Sequence, residues 1–268
     1  MFTQKRFKNP CGMAMNSKGQ FIITESEENK VKVFDRKGHL MDHFSLPVHN
    51  VIAYVLYVTV DGKDNVYVLV QLCRSYDTVS LDTETVFDFV VYVFNNNGEV
   101  RHQFSCEGEF HRTSVSRVFE RESGVFIRGG VFLSFLSPLR PVYVYYPYNC
   151  PSMIVNSKLE VVIAGTLFPE KRYVVNVYEN GGQFVRRFGE GLFSYVYGLA
   201  LASDDRVIVL DGDKCRNLYV HMFSKRGDHL SKFQLEVNPL PYHRIAFHHA
   251  SEHVVVAEAA FGNVELHV

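Results

Sequence analysis

Apolar and polar positions alternate along this chain in short bursts, with no sustained helical period. Six apolar runs stand out: FIIT (Phe21 to Thr24), VYVL (Val66 to Leu69), VFIR (Val125 to Arg128), VVIA (Val161 to Ala164), VIVL (Val207 to Leu210) and VVVA (Val254 to Ala257). Each follows a polar cluster, in order NSKGQ, DGKDN, ERESG, NSKLE, ASDDR and HASEH. Before most clusters lies another alternating stretch, as in GMAM from Gly12, YVTV from Tyr57, GLAL from Gly198 and RIAF from Arg244. Strand, tight polar turn, strand is the pattern of a β-hairpin. The copies recur at a mean spacing of about 47 residues, a period that fits propeller blades better than helical repeats.

A second unit follows the first. VKVFDRKGHLMDHF starts at Val31, VYVFNNNGEVRHQF at Val91, VNVYENGGQFVRRF at Val175 and VHMFSKRGDHLSKF at Val220. Each has an aromatic residue fourth, Gly eighth and Phe fourteenth. The Gly suits the positive φ of a hairpin turn, and the aromatic and terminal Phe suit the apolar layers between blades. Two hairpins make a four-stranded antiparallel blade. The spacing predicts an all-β, six-bladed β-propeller forming a single domain over residues 1–268.

The chain ends support a closed ring. The last repeat stops at VELHV (Val264 to Val268), which matches only the start of the second hairpin, and MFTQKRF (Met1 to Phe7) resembles its missing outer strand. The N-terminal strand is expected to complete the last blade, which would protect the sheet edges.

The stretch from Phe7 to Phe44, FKNPCGMAMNSKGQFIITESEENKVKVFDRKGHLMDHF, resembles an NHL repeat, the unit of a six-bladed propeller. The resemblance covers nearly the whole chain. It departs in repeat three, where residues 128–149 lack the Gly-to-Phe hairpin, and in repeat two, where residues 71–89 form a long connection. The wider pattern is similar to the C-terminal propeller of tripartite-motif (TRIM-NHL) ubiquitin ligases, whose RING, B-box and coiled-coil modules are not in this sequence. WD repeats would need Trp-Asp blade ends, and the chain has no Trp. Kelch repeats need Gly-Gly doublets in register, whereas Gly129-Gly130 and Gly181-Gly182 occupy different repeat positions.

Composition narrows the function classes. The 28 Lys and Arg against 29 Asp and Glu remove the simplest argument for a nucleic-acid or membrane binder. Five scattered cysteines (Cys11, Cys73, Cys106, Cys150, Cys215) without a C-x-x-C pair argue against a disulfide framework and a structural zinc site. The N-terminus has no apolar signal region, and the longest apolar run, Val51 to Val60, is too short for a membrane helix. A cytoplasmic location and a monomer are expected.

Motifs for catalysis are sparse. His248, His249 and His253 straddle a hairpin turn, which scatters their side chains, so no metal site and no cofactor are expected. There is no G-x-S-x-G elbow, phosphate-binding glycine loop or H-E-x-x-H helix. The amidating lyase, an NHL enzyme, works with metal ligands in its channel, and no comparable set is evident here. The expectation is therefore no enzyme activity and no catalytic residue, with a metal-dependent lyase or hydrolase ranked last.

The resemblance places ligands on the face carrying the loops between second and third strands and between blades. On that face Arg112, Lys171, Arg172, Lys214, Arg216 and Arg244 are basic candidates, with Tyr195 and Tyr242 as aromatic anchors. Acidic residues collect in the first two repeats (Glu25, Glu27, Glu28, Asp77, Asp82, Glu84, Asp88), which would repel a nucleic-acid strand crossing the whole face. The expectation is a protein-binding scaffold, the substrate-recognition propeller of a TRIM-NHL-like ubiquitin ligase system. Single-stranded RNA bound by the basic sector is the alternative; no small-molecule substrate is evident.

Overall fold

The computed structural model describes residues 10–48, 52–73, 87–106, 127–128, 131–134, 142–145, 152–167, 172–213, 215, 217–235, 242–249, 251–260 and 263–267. These residues form strands joined by turns, and every pairing between them is antiparallel. The first sheet holds β1 (Pro10–Met15), β2 (Phe21–Glu25), β3 (Lys30–Phe34) and β4 (Leu40–Ser45) in chain order. The second holds β5 (Ile52–Val60), β6 (Val66–Cys73), β7 (Phe87–Phe94) and β8 (Val100–Ser105). A three-stranded sheet follows, built from β9 (Ile127–Arg128), β10 (Val131–Ser134) and β11 (Val142–Tyr145) with β10 central.

Two more four-stranded meanders come next: β12 (Ser152–Val155), β13 (Val161–Leu167), β14 (Arg172–Tyr178), β15 (Phe184–Phe188), then β16 (Val196–Leu201), β17 (Val207–Gly212), β18 (Leu218–Phe223), β19 (His229–Leu235). The last sheet has three strands, β20 (Tyr242–His248), β21 (His253–Ala260) and β22 (Asn263–His267).

Three of the first turns are closed by a side chain reaching four residues ahead. Asn16 Oδ1 accepts the Gln20 amide, Asp61 Oδ1 accepts those of Lys63 and Asn65, and Asn156 Oδ1 accepts those of Lys158 and Glu160. Such Asx bonds satisfy turn amides that a strand ladder cannot reach. Gly98, Gly182 and Gly227 take positive φ in the second turns, as the eighth-position glycines predict.

Those glycines also set the blade seams. A Cβ on Gly98 would lie 2.7 Å from the Phe44 ring, and one on Gly227 2.8 Å from the Phe188 ring. The fourteenth-position Phe of one blade thus seats against the bare turn of the next, while Phe94 packs on Phe44 at 4.7 Å and Phe223 on Phe188 at 4.9 Å between ring centroids. Apolar side chains fill each seam.

The expected six four-stranded blades are corrected to four complete ones among the described residues. Gly182 of β12–β15 meets Phe104 of β5–β8, so these sheets are direct neighbours with the same glycine-on-Phe fit. Tyr67 donates to Asn180 Oδ1 at 3.0 Å, and His102 Nε2 lies 2.7 Å from the Asn180 carbonyl. Among the described residues, the strands of repeat three (β9–β11) therefore do not come between these two sheets. That repeat's sequence lacks the Gly-to-Phe hairpin that makes the fit elsewhere. The closure expected from residues 1–9 lies outside the described residues. Where β20–β22 meets β16–β19, Phe233 stays 42% exposed, against 9% for Phe188.

Candidate functional site

The loop joining β15 to β16, residues 189–195, is an irregular segment on the predicted ligand face. It begins with a turn in which Leu192 N–H donates to the Gly189 carbonyl. Gly189 has a φ of 78°, and a Cβ there would strike the Phe193 ring. Phe193 is buried in the seam, edge-on to His221 at 5.3 Å and to Phe223 at 5.7 Å between centroids. Asp211 at the end of β17 grips the other end: its Oδ1 accepts the Ser194 amide at 3.0 Å and the Tyr195 amide at 2.8 Å. Gly212 N–H closes the loop onto the Tyr195 carbonyl.

This anchoring holds Tyr195 between two other tyrosines, 5.4 Å from Tyr173 and 4.7 Å from Tyr197 by ring centroids. Gly212 makes room for the Tyr197 ring, since a Cβ there would lie 2.5 Å from it. Arg172, at the start of β14, forms an ion pair with Glu190 of the loop. The half-buried rings of Tyr195 and Tyr197 and the buried Tyr173 thus lie close to one cationic donor and one anionic acceptor. That set can stack a planar or ring-shaped group and engage its polar substituents.

Of the residues singled out from sequence, the structure brings Arg172 and Tyr195 into this region. Arg112, Lys171, Lys214 and Arg216 lie outside the described residues. Tyr242 and Arg244 lie on β20, opposite Ala259 and Ala257 of β21, where a loop-edge position had been expected. His249 Nδ1 lies 3.2 Å from Ser203 Oγ, and His248 and His253 face each other in the β20–β21 ladder. Among the described residues no group of three or more His, Cys, Asp or Glu is placed to hold a metal ion.

Sequence reading missed the buried polar layer behind the loop. His221, 1% exposed, has Nε2 3.6 Å from Asp211 Oδ2 and Nδ1 3.2 Å from His229 Nε2. Burial, then the charges of His221 and Lys232, hold the His229 imidazole below its ordinary value. Other blades place different pairs at comparable heights. Lys32 meets the buried Glu25 carboxylate at 2.5 Å, and Arg187 Nε donates to the buried Asn176 at 2.9 Å. The available signal was the position two before the second-hairpin aromatic: Lys32, Tyr92, Asn176 and His221, all with polar atoms, all flanked by apolar neighbours.

No protein-family model matches the chain, and no curated protein sequence does. Solved structures do resemble it. Virginiamycin B lyase from Staphylococcus aureus aligns with a TM-score of 0.51 at 11% identity, covering 100% of this chain and 72% of that one. A gluconolactonase from Xanthomonas campestris aligns with a TM-score of 0.53 at 10% identity, covering 97% and 72%. A chain of a nidogen/laminin complex aligns with a TM-score of 0.53 at 9% identity, covering 96% and 74%. At such identities the likeness concerns the fold.

The expected non-enzymatic TRIM-NHL scaffold, with RNA binding as its alternative, is corrected at this point. The similar structures include propellers named as a lyase and a gluconolactonase, and no family match supports a TRIM-NHL assignment. The expectation of no enzyme activity is withdrawn with it, since propellers of this fold include ones named as a lyase and a gluconolactonase. What the fold and its likenesses establish is an all-β propeller of antiparallel four-stranded sheets.

Proposed function

We propose that the chain is a propeller-type hydrolase acting on a small cyclic ester of the sugar-lactone class, at the 189–195 loop. The observation that carries the reading is the anchored loop itself: Tyr195 flanked by Tyr173 and Tyr197, beside the Arg172–Glu190 ion pair. A preorganised loop loses little ordering entropy on binding, and preorganised donors stabilise charge that develops during reaction. The gluconolactonase and lyase propellers supply the chemical class. The repeat unit itself we read as NHL-like, on the residues from Phe7 to Phe44.

In this mechanism the tyrosine faces stack the substrate ring. Glu190 accepts a proton from water as the water oxygen bonds to the lactone carbonyl carbon. Arg172 donates to the carbonyl oxygen as it gains negative charge. The ring C–O bond then breaks, and the proton passes to the departing alkoxide to give an open hydroxy acid.

The test is pH-stat titration of glucono-δ-lactone hydrolysis above the buffer rate. Glu190→Gln is expected to lower kcat by about 100-fold or more, the scale of a lost general base. Tyr195→Ala is expected to raise KM by about 10-fold, the scale of a lost stacking contact. Hydrolysis at the buffer rate by the wild-type protein would overturn the reading, as would unchanged kinetics in both variants.

A further inference from the structure

Beneath the 189–195 loop lies a linear set of ionisable groups that the proposed hydrolysis does not use. Asp211 is 2% exposed and uses Oδ1 on the Ser194 and Tyr195 amides. Its Oδ2 faces His221 Nε2 at 3.6 Å, just beyond hydrogen-bond reach, and that buried nitrogen has no hydrogen-bond partner among the described residues. His221 Nδ1 is bonded to His229 Nε2. His229 lies at the start of the exposed strand β19, so protons can reach the buried ring from solvent.

We propose that Asp211, His221 and His229 form a proton-operated latch that sets the position of the 189–195 loop and of Tyr195. In the neutral pair one ring nitrogen donates to the other, and His221 Nε2 and Asp211 Oδ2 stay apart. A further proton makes His221 an imidazolium with donors on both nitrogens. Its Nε2–H then closes on Asp211 Oδ2, forming a charge-assisted bond in a site shielded from water. Because Oδ1 of the same carboxylate holds the Ser194 and Tyr195 amides, moving the carboxylate moves the loop end.

A second link runs through Phe193 of the loop, whose ring lies edge-on to His221. The charged and titratable groups facing His221 are Asp211 on β17 and His229 and Lys232 on β19, Lys232 being its ladder partner. From its own strand and the loop come only the rings of Phe223 and Phe193. Among these described groups Asp211 is the anion, and its Oδ2 faces the His221 ring. The latch does not depend on which substrate the loop takes, and its readout is on the loop itself.

The test is an NMR titration of the whole chain from pH 8 to pH 5, following the imidazole nitrogens of His221 and the backbone amides of Ser194 and Tyr195. The expected result is a shift of both amides with the same midpoint as His221 Nε2. Two variants remove the response by different routes. His221→Gln keeps a polar side chain but cannot take the proton. Asp211→Asn keeps an acceptor for the two amides but removes the charge that Nε2–H approaches. Should the buried His221→Gln substitution prevent folding, the near-isosteric Asp211→Asn carries the test. Flat Ser194 and Tyr195 amides in the wild-type protein while His221 titrates would overturn the latch. So would a titration of those amides that persists in Asp211→Asn.

Discussion

Ser17 and Asp64, 47 residues apart and on adjoining blades, are joined by two hydrogen bonds: the Ser17 amide donates to Oδ1 at 2.7 Å and its hydroxyl to Oδ2 at 2.6 Å. Ser157 and Asp205 repeat the arrangement two seams further on, between β12–β15 and β16–β19, through amide and hydroxyl alike. At the next seam Ser203 Oγ meets His249. Asp64 and Asp205 sit at φ near 60°, the turn position that Gly19 fills in the first blade. The left-handed turn residue therefore doubles as the clasp between blades.

Breaking that clasp is expected to cost different amounts from its two sides. Ser17→Ala removes the hydroxyl bond and is expected to cost about 1 kcal/mol. Asp64→Ala removes both bonds, leaves the Ser17 amide without its carboxylate, and keeps a Cβ residue at positive φ; about 2 kcal/mol is expected. Urea denaturation measures both. In the double variant the losses should fall short of additive, because the two residues share an interaction.

The direct seam between β5–β8 and β12–β15 makes a prediction at adjacent glycines. Gly182→Ala would set a Cβ 2.5 Å from Phe104 Cβ at a φ of 91°, and a cost of about 2 kcal/mol or more is expected. Gly181→Ala meets no atom within 4 Å and should change stability by about 0.5 kcal/mol or less. Equal effects at both positions would refute the seam.

Exposure separates the terminal phenylalanines that look alike in sequence. Phe104, 7% exposed, is expected to cost about 3 kcal/mol on replacement by Ala. Phe233, 42% exposed, should cost about 1 kcal/mol or less, because much less of its apolar surface is withdrawn from water. Thermal or chemical denaturation of the two variants tests the ranking.

Acid should weaken the fold in two windows. His229 takes a proton less readily folded than unfolded, chiefly because of burial. The unfolded chain is protonated first as pH falls through 6.5, so stability falls there, and His229→Gln should flatten that slope. Glu160 is held below its ordinary 4.5, first by the hydrogen bonds from Arg186. Its contribution is present above that value and is lost as pH falls through the lower folded value, so Arg186→Gln should flatten the second window. Urea midpoints measured from pH 8 to pH 3 resolve the two.

Thiol chemistry should report folding. Burial pushes the Cys106 thiol up to about 12, whereas Cys215 is exposed. Iodoacetamide at pH 8 is expected to label Cys215 in the native protein and Cys106 only after unfolding, since the thiolate is the reacting form. Peptide mass spectrometry distinguishes the sites, and prompt native labelling of Cys106 would contradict its burial.

Strands, turns and their pairing within a blade are local, and the sequence determined them. Alternation sets which face of each strand is apolar, and the polar clusters and eighth-position glycines set where the chain reverses. Hence β1–β8 and β12–β19 fall where the two repeated units place them. Which blades adjoin is decided between residues far apart. Tyr67 reaches Asn180 across 113 positions, and no spacing in the sequence distinguishes that partner from a residue of repeat three. The same holds for the site. Arg172 and Tyr195 were legible as a cation and an aromatic residue in loops. The meeting of Asp211 with His221, and of both with the 189–195 loop, depends on strand register and seam packing, which exist only once the sheets have closed on one another.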